Sequence, residues 1–467
     1  MANNLFVSSS IVSQALIKNL PQFYTSQSII GLCNKIQNFD PKITGANTQS
    51  SIALRYPTIF QARKGYNVNP VDIQDILQRT TPLKVNLQEQ TIAAPIAVDI
   101  SEQNFNINEV TAEGFSSQYL NGTMDAMSIE LAKELYGELD LGTGDFIGDT
   151  ASGLTVQSGL QIQSMITLMG LAQAGLNPGS RENFYTATSS NSIAALAYSN
   201  LQNFTLEKND DVVMNDCVRF NSSAVKFFSD NLIIPTTNGG FNNVGGVTVS
   251  TSVPANNDIN QDYTTITLGG FTPSTSDVLR AGNILKFSVN SDGSDPVMML
   301  AKKTFVNTGV PAGFVVVSDD TGNEVVSSDG LGNASIRIRK NPVADASSSV
   351  RNISKQLTAG TFVQLVGGAN NVYQKNFVLI RGLSLGLELL PIQPYMKEEL
   401  RKDAPGGQLA WSINRGYTAP GSGMSMAFNI QGWSTALDSQ QLYIPRIWPV
   451  IKPFADFYFC YLSQLVS

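Results

Sequence analysis

Apolar residues recur at intervals of three and four in several stretches of the first half of the chain, the spacing of an amphipathic helix. The longest stretch, from about 109 to 139, places Met124, Met127, Leu131 and Leu135 on one stripe and predicts a long helix. Other stretches predict helices at about 9–20, 26–37, 158–174 and 190–201, with a single strand, ENFYTATS, before the last. Helices that alternate with single strands favour an α+β fold.

A different pattern occupies residues 50–80, where apolar and polar residues alternate around Pro57 and a Lys64-Gly65 turn. This predicts an extended two-stranded loop. Because the loop has few residues to bury, we expect it to pack on something outside its own subunit. Residues 81–100 also alternate, and they predict a pair of strands with one buried face.

Strand patterns dominate the stretch from about 246 to 367. Six short apolar segments are separated by Ser, Asp, Gly and Asn turns, which predicts a small all-β barrel or sandwich. The segments are GVTVST (246–251), YTTITLGGF (263–271), ILKFSV (284–289), GFVVVSDD (313–320), ASIRIRK (334–340) and TFVQLVG (361–367). Gly- and Asn-rich stretches at 238–246 and 367–371 border this unit. Two such flexible borders predict an insertion into a host domain.

The chain is poor in charge, and it lacks histidine. Of 467 residues, 14% are charged and 42% are hydrophobic, and the net charge is −7. An ordinary soluble domain has roughly 25% charged residues. The absence of histidine removes the side chain used most often for proton transfer near neutral pH and a common ligand of catalytic metals. Many enzyme classes are therefore excluded.

The cysteines and the apolar stretches indicate the compartment in which the chain folds. Its three cysteines have no CxxC spacing and are odd in number, so a zinc site or disulfide framework is not indicated. The first 20 residues lack the pattern of a secretory signal, and we expect folding in the cytosol. The apolar stretches at 377–392 and 447–462 are interrupted by charges or prolines, so we expect no membrane partner.

Three short motifs contain residue types that could carry chemistry. Ser223 and Lys226 have SxxK spacing with SDN directly behind, but the motifs of serine β-lactamases come from separate elements. A partly buried helix at 222–231 is the simpler interpretation. The acidic clusters at 290–296 and 318–324 lack the spacing of a calcium loop and favour hairpin turns. We therefore expect no catalytic residue, no cofactor and no metal.

One basic cluster stands out from this background. Arg337 and Arg339 fall on the same face of a predicted strand, next to Lys340, and could meet carboxylates of a partner. Sequence-specific binding of nucleic acid would need a broader basic surface than this acidic chain offers. A container for nucleic acid needs no tight binding, since like charge keeps phosphate from adhering to its wall.

The order of these parts resembles the HK97-type major capsid proteins of tailed bacteriophages, in the branch of short-tailed phages whose coat carries an inserted telokin-like β-barrel. The segments that carry the resemblance are NLFVSSSIVSQALIKNL, VGGVTVST, TTITLGGFTPSTSDVLRAGNILKFSV, GFVVVSDDTGNEV and NNVYQKNFVLIRGLSLGLELLPIQ. It implies an α+β, HK97-like fold with an N-terminal arm, an E-loop, a peripheral domain with a long spine helix, an axial domain and an inserted β-barrel. The implied boundaries are 1–40 for the arm, 41–80 for the E-loop region, 81–140 for the peripheral domain, 141–242 and 369–440 for the axial domain, 243–368 for the barrel and 441–467 for a closing segment.

The resemblance also implies a role and partners. Subunits of this family form pentamers and hexamers of an icosahedral shell, with a scaffolding protein and a portal protein, around double-stranded DNA. The expected location is the virion capsid, after assembly in the host cytoplasm. Some relatives crosslink through a lysine, for which Lys64 is a conceivable donor, but the inserted-barrel branch predicts no crosslink. The residues expected to touch neighbouring subunits are Tyr56, Phe60, Arg63, Lys64, Tyr66, Arg337 and Arg339.

Two other classes of protein stay open at this point. A secreted surface-layer, adhesin or fibre protein shares the low charge and the Ser-, Thr-, Asn- and Gly-rich composition, but it predicts a signal peptide and tandem repeats. A histidine-free hydrolase or lyase would need carboxylate or Ser–Lys chemistry, and no motif in the sequence converges on it.

Overall fold

A computed structural model describes residues 29–35, 49–55, 80–86, 91–99, 120–142, 144–150, 153–154, 184–192, 225–255, 263–301, 305–346, 348, 351–389, 409–418, 425–434, 440–454 and 458–464. In this part of the chain, the elements of the first half are β1 (Asn34–Lys35), β2 (Gln49–Arg55), β3 (Thr80–Asn86), β4 (Ile92–Ala93), β5 (Ile96–Asp99), α1 (Asn121–Gly142), β6 (Phe146–Ile147), β7 (Asp149–Thr150), β8 (Gly153–Leu154), β9 (Phe184–Thr188) and β10 (Val225–Ser229). A 3-10 helix at Ile30–Leu32 precedes β1.

The second half of the chain continues almost entirely with strands. They are β11 (Thr236–Thr237), β12 (Asn243–Val249), β13 (Thr264–Phe271), β14 (Leu279–Arg280), β15 (Ile284–Ser288), β16 (Met298–Leu300), β17 (Asn307–Pro311), β18 (Gly313–Asp319), β19 (Val325–Val326), β20 (Asn333–Arg339), β21 (Phe362–Leu365), β22 (Val372–Ile380), β23 (Leu385–Leu389), β24 (Leu409–Thr418), β25 (Ser425–Ser434), β26 (Gln440–Ile447), β27 (Pro449–Pro453) and β28 (Tyr458–Gln464).

The predicted α+β, HK97-like fold class is wrong, because the structure is mostly β-strand and contains a closed β-barrel. The prediction failed for a physical reason. Strand β22 pairs with β28 and β9, which lie far away in sequence, and a short apolar run does not distinguish a buried strand from a buried helix. The contribution of such strands to the fold therefore cannot be predicted from local periodicity.

Several local predictions also need correction. The helix predicted at 26–37 is a 3-10 turn followed by β1 in its described residues. The segment at 222–231 forms strand β10 rather than a helix. The described strands within 81–100 do not pair with one another, since β3 pairs with β2 whereas β4 and β5 pair with β26. In each case a distant strand, and not the local pattern, decides the pairing. The predicted helices at 9–20 and 158–174 lie outside the described residues.

Helix α1 occupies the second part of the stretch for which helical spacing was found, and it continues to Gly142. Its four stripe residues, Met124, Met127, Leu131 and Leu135, are all buried. Ala132 and Leu139 are buried as well, so the apolar stripe is wide. The helix is thus held by burial of apolar side chains, as expected for a helix in a protein core.

Two compact units divide the chain by their internal contacts. The first comprises Met1–Ile52, Leu83–Leu135 and Leu385–Lys452, and the second comprises Ala53–Pro82, Tyr136–Ser384 and Pro453–Ser467. The first unit contains a three-stranded sheet in the order β1-β23-β27 and a five-stranded sheet in the order β24-β25-β26-β4, in which β5 also pairs with β26.

The second unit contains a six-stranded sheet and the barrel. The sheet has the order β10-β9-β22-β28-β6, with β11 paired to β22. The barrel closes in the order β12-β13-β20-β18-β15-β21. All six segments that the sequence marks as strands between 246 and 367 contribute to it. That residues 243–368 form an inserted domain able to fold alone stays a prediction.

Alternating burial explains the barrel. In β20, Ala334, Ile336 and Ile338 are buried, and the residues between them are more exposed. Phe287 and Phe314 meet edge to face inside the barrel with ring centroids 5.3 Å apart, a favourable arrangement of aromatic quadrupoles. Closure leaves the barrel without edge strands.

Candidate functional site

The described residues of the three motifs serve local structure. In the described ranges, no three His, Cys, Asp or Glu side chains are grouped so that they could hold a metal ion. Lys226 lies in strand β10, and Ser223 is outside the described residues. Asp230 of the SDN motif accepts hydrogen bonds from Tyr136 Oη at 2.8 Å and from the Leu232 amide at 3.0 Å. Asp230 therefore links the end of β10 to α1.

The acidic segment at 318–324 is a turn, as the sequence predicts. Asp319 accepts hydrogen bonds from the amides of Thr321, Gly322 and Asn323 and from the Asn323 side chain. Desolvation acts in the opposite direction, but hydrogen bonds from Thr321 and Asn323 outweigh it and hold the pKa of Asp319 well below its usual range. The carboxylate is occupied by its own turn.

The most developed polar feature of the second unit is a group of four ion pairs, three between the barrel and its surroundings and one between β22 and α1, which we name the charge seam. Its carboxylates lie in the last turns of α1 and in the segment that follows. Its cations lie on the barrel and on β22. The pairs are Lys286–Asp149 at 2.6 Å, Arg339–Glu138 at 3.3 Å, Lys340–Asp145 at 2.6 Å and Lys375–Asp140 at 2.7 Å.

Lys340 and Asp145 form the most deeply buried of these pairs. Their side chains are 4% and 0% exposed. Lys340 directly follows β20 and has a positive backbone φ of 38°. Residues other than Gly, Asn and Asp seldom adopt this conformation. The second oxygen of Asp145, Oδ2, is buried and has no hydrogen-bond partner among the described residues. The Lys340 ammonium is thus the principal compensation for a carboxylate removed from water.

Lys375 completes the C-terminal end of helix α1. Its ammonium contacts the Asp140 carboxylate and donates hydrogen bonds to the carbonyl oxygens of Asp140 at 3.1 Å and Gly282 at 2.6 Å. The C-terminal end of a helix carries partial negative charge, which disfavours the acidic Glu138 and Asp140 there. A cation at this end offsets both the helix dipole and the carboxylates.

The backbone of the barrel also lies in direct contact with the segment that follows α1. A Cβ atom added to Gly144 would lie closer than 3.0 Å to the Gly313 carbonyl oxygen, and one added to Gly313 would lie closer than 3.0 Å to the Gly144 oxygen and the Phe146 ring. Only glycine fits such an approach on both sides. The two glycines therefore allow β18 and the segment leading into β6 to lie in direct contact.

Asparagine side chains fix the two chain segments through which the barrel is connected, although the sequence predicts flexible borders there. Asn238 Nδ2 donates to the carbonyl oxygens of Val366 at 2.8 Å and Gly368 at 2.7 Å. The Gly239 amide donates to Asn283 Oδ1 at 3.1 Å, and the Asn371 carbonyl accepts from the Asn238 amide at 2.9 Å. The Asn residues of these segments, from which the sequence predicts flexible linkers, thus form hydrogen bonds that join the chain segment entering the barrel to the one leaving it.

Of the residues predicted to contact neighbouring subunits, the structure describes only Arg337 and Arg339. Tyr56, Phe60, Arg63, Lys64 and Tyr66 lie outside the described residues. Arg339 pairs with Glu138 of its own chain.

Arg337 lies two residues earlier in β20. Its guanidinium carbon is 4.9 Å from the ring centroid of Tyr263, and its side chain donates to the Asp320 carbonyl oxygen. The structure therefore gives the two arginines different partners. That either meets another subunit stays a prediction.

Sequence reasoning did not assign the lysines and aspartates of the charge seam to a site. One signal was present, because Lys375 lies in the same strand as the apolar residues 377–380, and a charge in a buried strand requires a partner. The identity of that partner, however, depends on the fold.

Comparisons with known proteins give only loose structural neighbours. No protein-family model matches the chain, and no curated protein sequence is significantly similar to it. A chain of the capsid structure of Staphylococcus phage Andhra matches with 8% identity and a TM-score of 0.33, covering 93% of this chain and 83% of that one. A chain from the structure of the head fibre and inner core protein of bacteriophage P68 matches with 10% identity and a TM-score of 0.32, with the same coverage. Similarity at this level does not establish a common fold, and the proposal below rests on the residues of this chain.

Helices in the described ranges are too short or too polar to cross a membrane.

Proposed function

We propose that the chain is a non-enzymatic structural protein of a bacteriophage virion, a coat subunit that assembles with copies of itself into the shell around the genome. The observation that carries this proposal is the charge seam. In a chain with 14% charged residues, three cation–carboxylate pairs hold the barrel against α1 and the segment around β6, and a fourth joins β22 to α1. Four of the 30 basic and four of the 37 acidic residues thus fix neighbouring elements of one unit against each other.

A shell places two demands on its subunit that agree with this use of charge. Each subunit must present its surfaces at fixed relative positions, since an error in angle is repeated at every contact of a closed assembly. Much of its surface is also covered by neighbours, so few exposed charges and many small polar residues are tolerated. Buried ion pairs set a unique geometry even where they add little stability, which we take to be their role here.

The finer proposal follows the sequence resemblance. We propose that the chain is the major capsid protein, that it forms pentamers and hexamers, and that a scaffolding protein and a portal protein are its partners. The shell would be made in the host cytoplasm and enclose double-stranded DNA without reading its sequence. A net charge of −7 supports the last point, because repulsion keeps packaged phosphates from binding the wall.

A second candidate, a β-rich surface-layer, adhesin or fibre protein, is favoured by one observation. The described fold is mostly strand, which is common among such proteins and was not expected from the sequence.

Electron microscopy and analytical ultracentrifugation of the purified chain, alone and with a candidate scaffolding protein, separate the two. Closed shells or capsomer-sized rings are the expected result. Planar lattices or fibres favour the second candidate. A monomer that persists at high concentration with and without the scaffolding protein would contradict both.

A further inference from the structure

Strand β24 is an unusual edge strand. In the sheets of three or more strands within the described residues, the other edges are short or contain proline. These other edges are β1 and β6 with two residues each, β4 and β5 with two and four, β10 with five, and β27, which begins at Pro449 and ends at Pro453. Strand β24 has ten residues, no proline and a single charged residue, Arg415.

Natural proteins shorten or interrupt the edges of their sheets, because a long free edge presents unpaired N–H and C=O groups to other chains. In its other sheets of three or more strands the chain follows this rule among the described residues, and it closes its barrel completely. The exception at β24 indicates that this edge forms main-chain hydrogen bonds with another chain segment. Since the edge exposes main-chain groups over about ten residues, the partner that fits it is another extended strand.

The register of the sheet shows that its apolar face continues to this edge. Opposite residues of antiparallel strands lie on the same face. Trp411 is opposite Gly432, Ile413 opposite Ile430, and Tyr417 opposite Met426. The positions of β24 and β25 that share this face by register are mostly apolar, with Arg415 opposite Phe428 as the charged exception, and β24 has no neighbour on its outer side among the described residues.

We propose that β24 pairs antiparallel with β24 of a second copy of this chain, about a two-fold axis. This inference rests on the proposed function, a self-assembling subunit. A strand paired with its own symmetry mate needs no second sequence, and two-fold contacts are the commonest between identical chains. The pairing joins two sheets of the first unit into one continuous sheet.

The faces also select the register. Full overlap would place Leu409 opposite Thr418 of the second copy and so bring the apolar face of one strand beside the polar face of the other. A shift by one residue in either direction restores apolar beside apolar and keeps either 409–417 or 410–418 paired, nine of the ten residues. The two-fold axis then passes through Ile413 or Asn414.

Disulfide formation tests this register. Directly opposite residues in antiparallel strands have Cα atoms about 4.5–5.5 Å apart, which suits a disulfide, whereas residues displaced by one position from the axis are too far from their symmetry mates. We expect either Ile413→Cys or Asn414→Cys to give a covalent dimer on a non-reducing gel after mild oxidation. The background is Cys217→Ser, since Cys33 and Cys460 are buried.

Gln431→Cys is the matched control. Gln431 lies in β25, which is paired on both sides, so its symmetry mate is out of reach. Self-association measured by ultracentrifugation, without a covalent dimer of Ile413→Cys or Asn414→Cys above this control, would overturn the β24 pairing and leave the proposed function intact. Failure of every variant and of the parent chain to self-associate would instead overturn the proposed function.

Discussion

The Lys340 ammonium lies 2.6 Å from the Asp145 carboxylate at a place where both side chains are cut off from water. The two residues are 195 positions apart in sequence. Lys340 directly follows barrel strand β20, and Asp145 lies in the segment that follows helix α1. Their contact, with the approach of Gly144 to Gly313 next to it, couples the barrel to the rest of its unit.

Removal of the lysine is expected to be costly. Lys340→Met leaves the Asp145 carboxylate buried without its cation, and breaking a buried pair in this way typically costs about 3–5 kcal/mol. The free energy of unfolding in urea should fall by that order. Lys286→Met, at a more exposed pair of the same charge seam, is the control and should cost less.

The double variant Lys340→Met/Asp145→Leu sharpens this test. Replacement of both partners by apolar groups of similar size is often close to neutral, so most of the loss should be recovered. An unfolding free energy of Lys340→Met equal to that of the parent chain would contradict the role assigned to the pair.

Gly313→Ala should destabilise the protein by about 3 kcal/mol or more, since the added methyl group overlaps the Gly144 carbonyl and overpacking in a close contact carries this order of cost. Gly330→Ala is the matched control, because a Cβ atom there meets nothing within 4 Å. Thermal unfolding measures both. Equal melting temperatures for the two variants would show that the backbone approach is not required.

Asp319→Ala should lower the stability of the barrel modestly, because three backbone amides of the turn lose their acceptor. The sign of the pH dependence follows from the lowered pKa. The contribution of Asp319 is complete above the unfolded pKa of about 3.9 and is lost as pH falls through the folded value. Parent and Asp319→Ala chains should therefore converge in stability at strongly acid pH. A difference that persists there would exclude the charged hydrogen bonds as its cause.

Burial raises the pKa of the Cys460 thiol from 9.0 to about 12. The unfolded chain then loses this proton first, so stability falls as pH rises from about 9 towards 12. We expect the Cys460→Ala variant to show a shallower loss over this interval in urea titrations at stepped pH. Parallel curves for the two proteins would mean that Cys460 is not buried as described.

Residues 243–368, produced alone, are expected to fold, because the closed barrel has its own apolar core that includes Leu268, Phe287, Phe314 and Ile338. Circular dichroism and a cooperative thermal transition check this. A matched fragment of residues 263–368 omits β12, leaves the barrel open and should not show the transition. An unfolded 243–368 fragment would remove the prediction of an inserted domain.

The sequence by itself determined the local features of this protein. Alternating polarity located the six barrel strands, and helical spacing identified the buried stripe that includes Met124 and Leu131. The low charge content and the lack of histidine reduced the number of enzyme classes to which the chain could belong. These features were readable because each depends on residues within one helix turn or one strand.

Only the tertiary structure decided what pairs with what. It overturned the α+β class, separated β3 from β4 and β5, and joined Lys375 to Asp140, whose carbonyl it contacts from 235 residues away. A lysine in a buried strand needs a carboxylate, but the sequence does not say which of the 37 acidic residues supplies it. Which one does is fixed by the closure of sheets over long sequence distances, a property of packing that no local pattern contains.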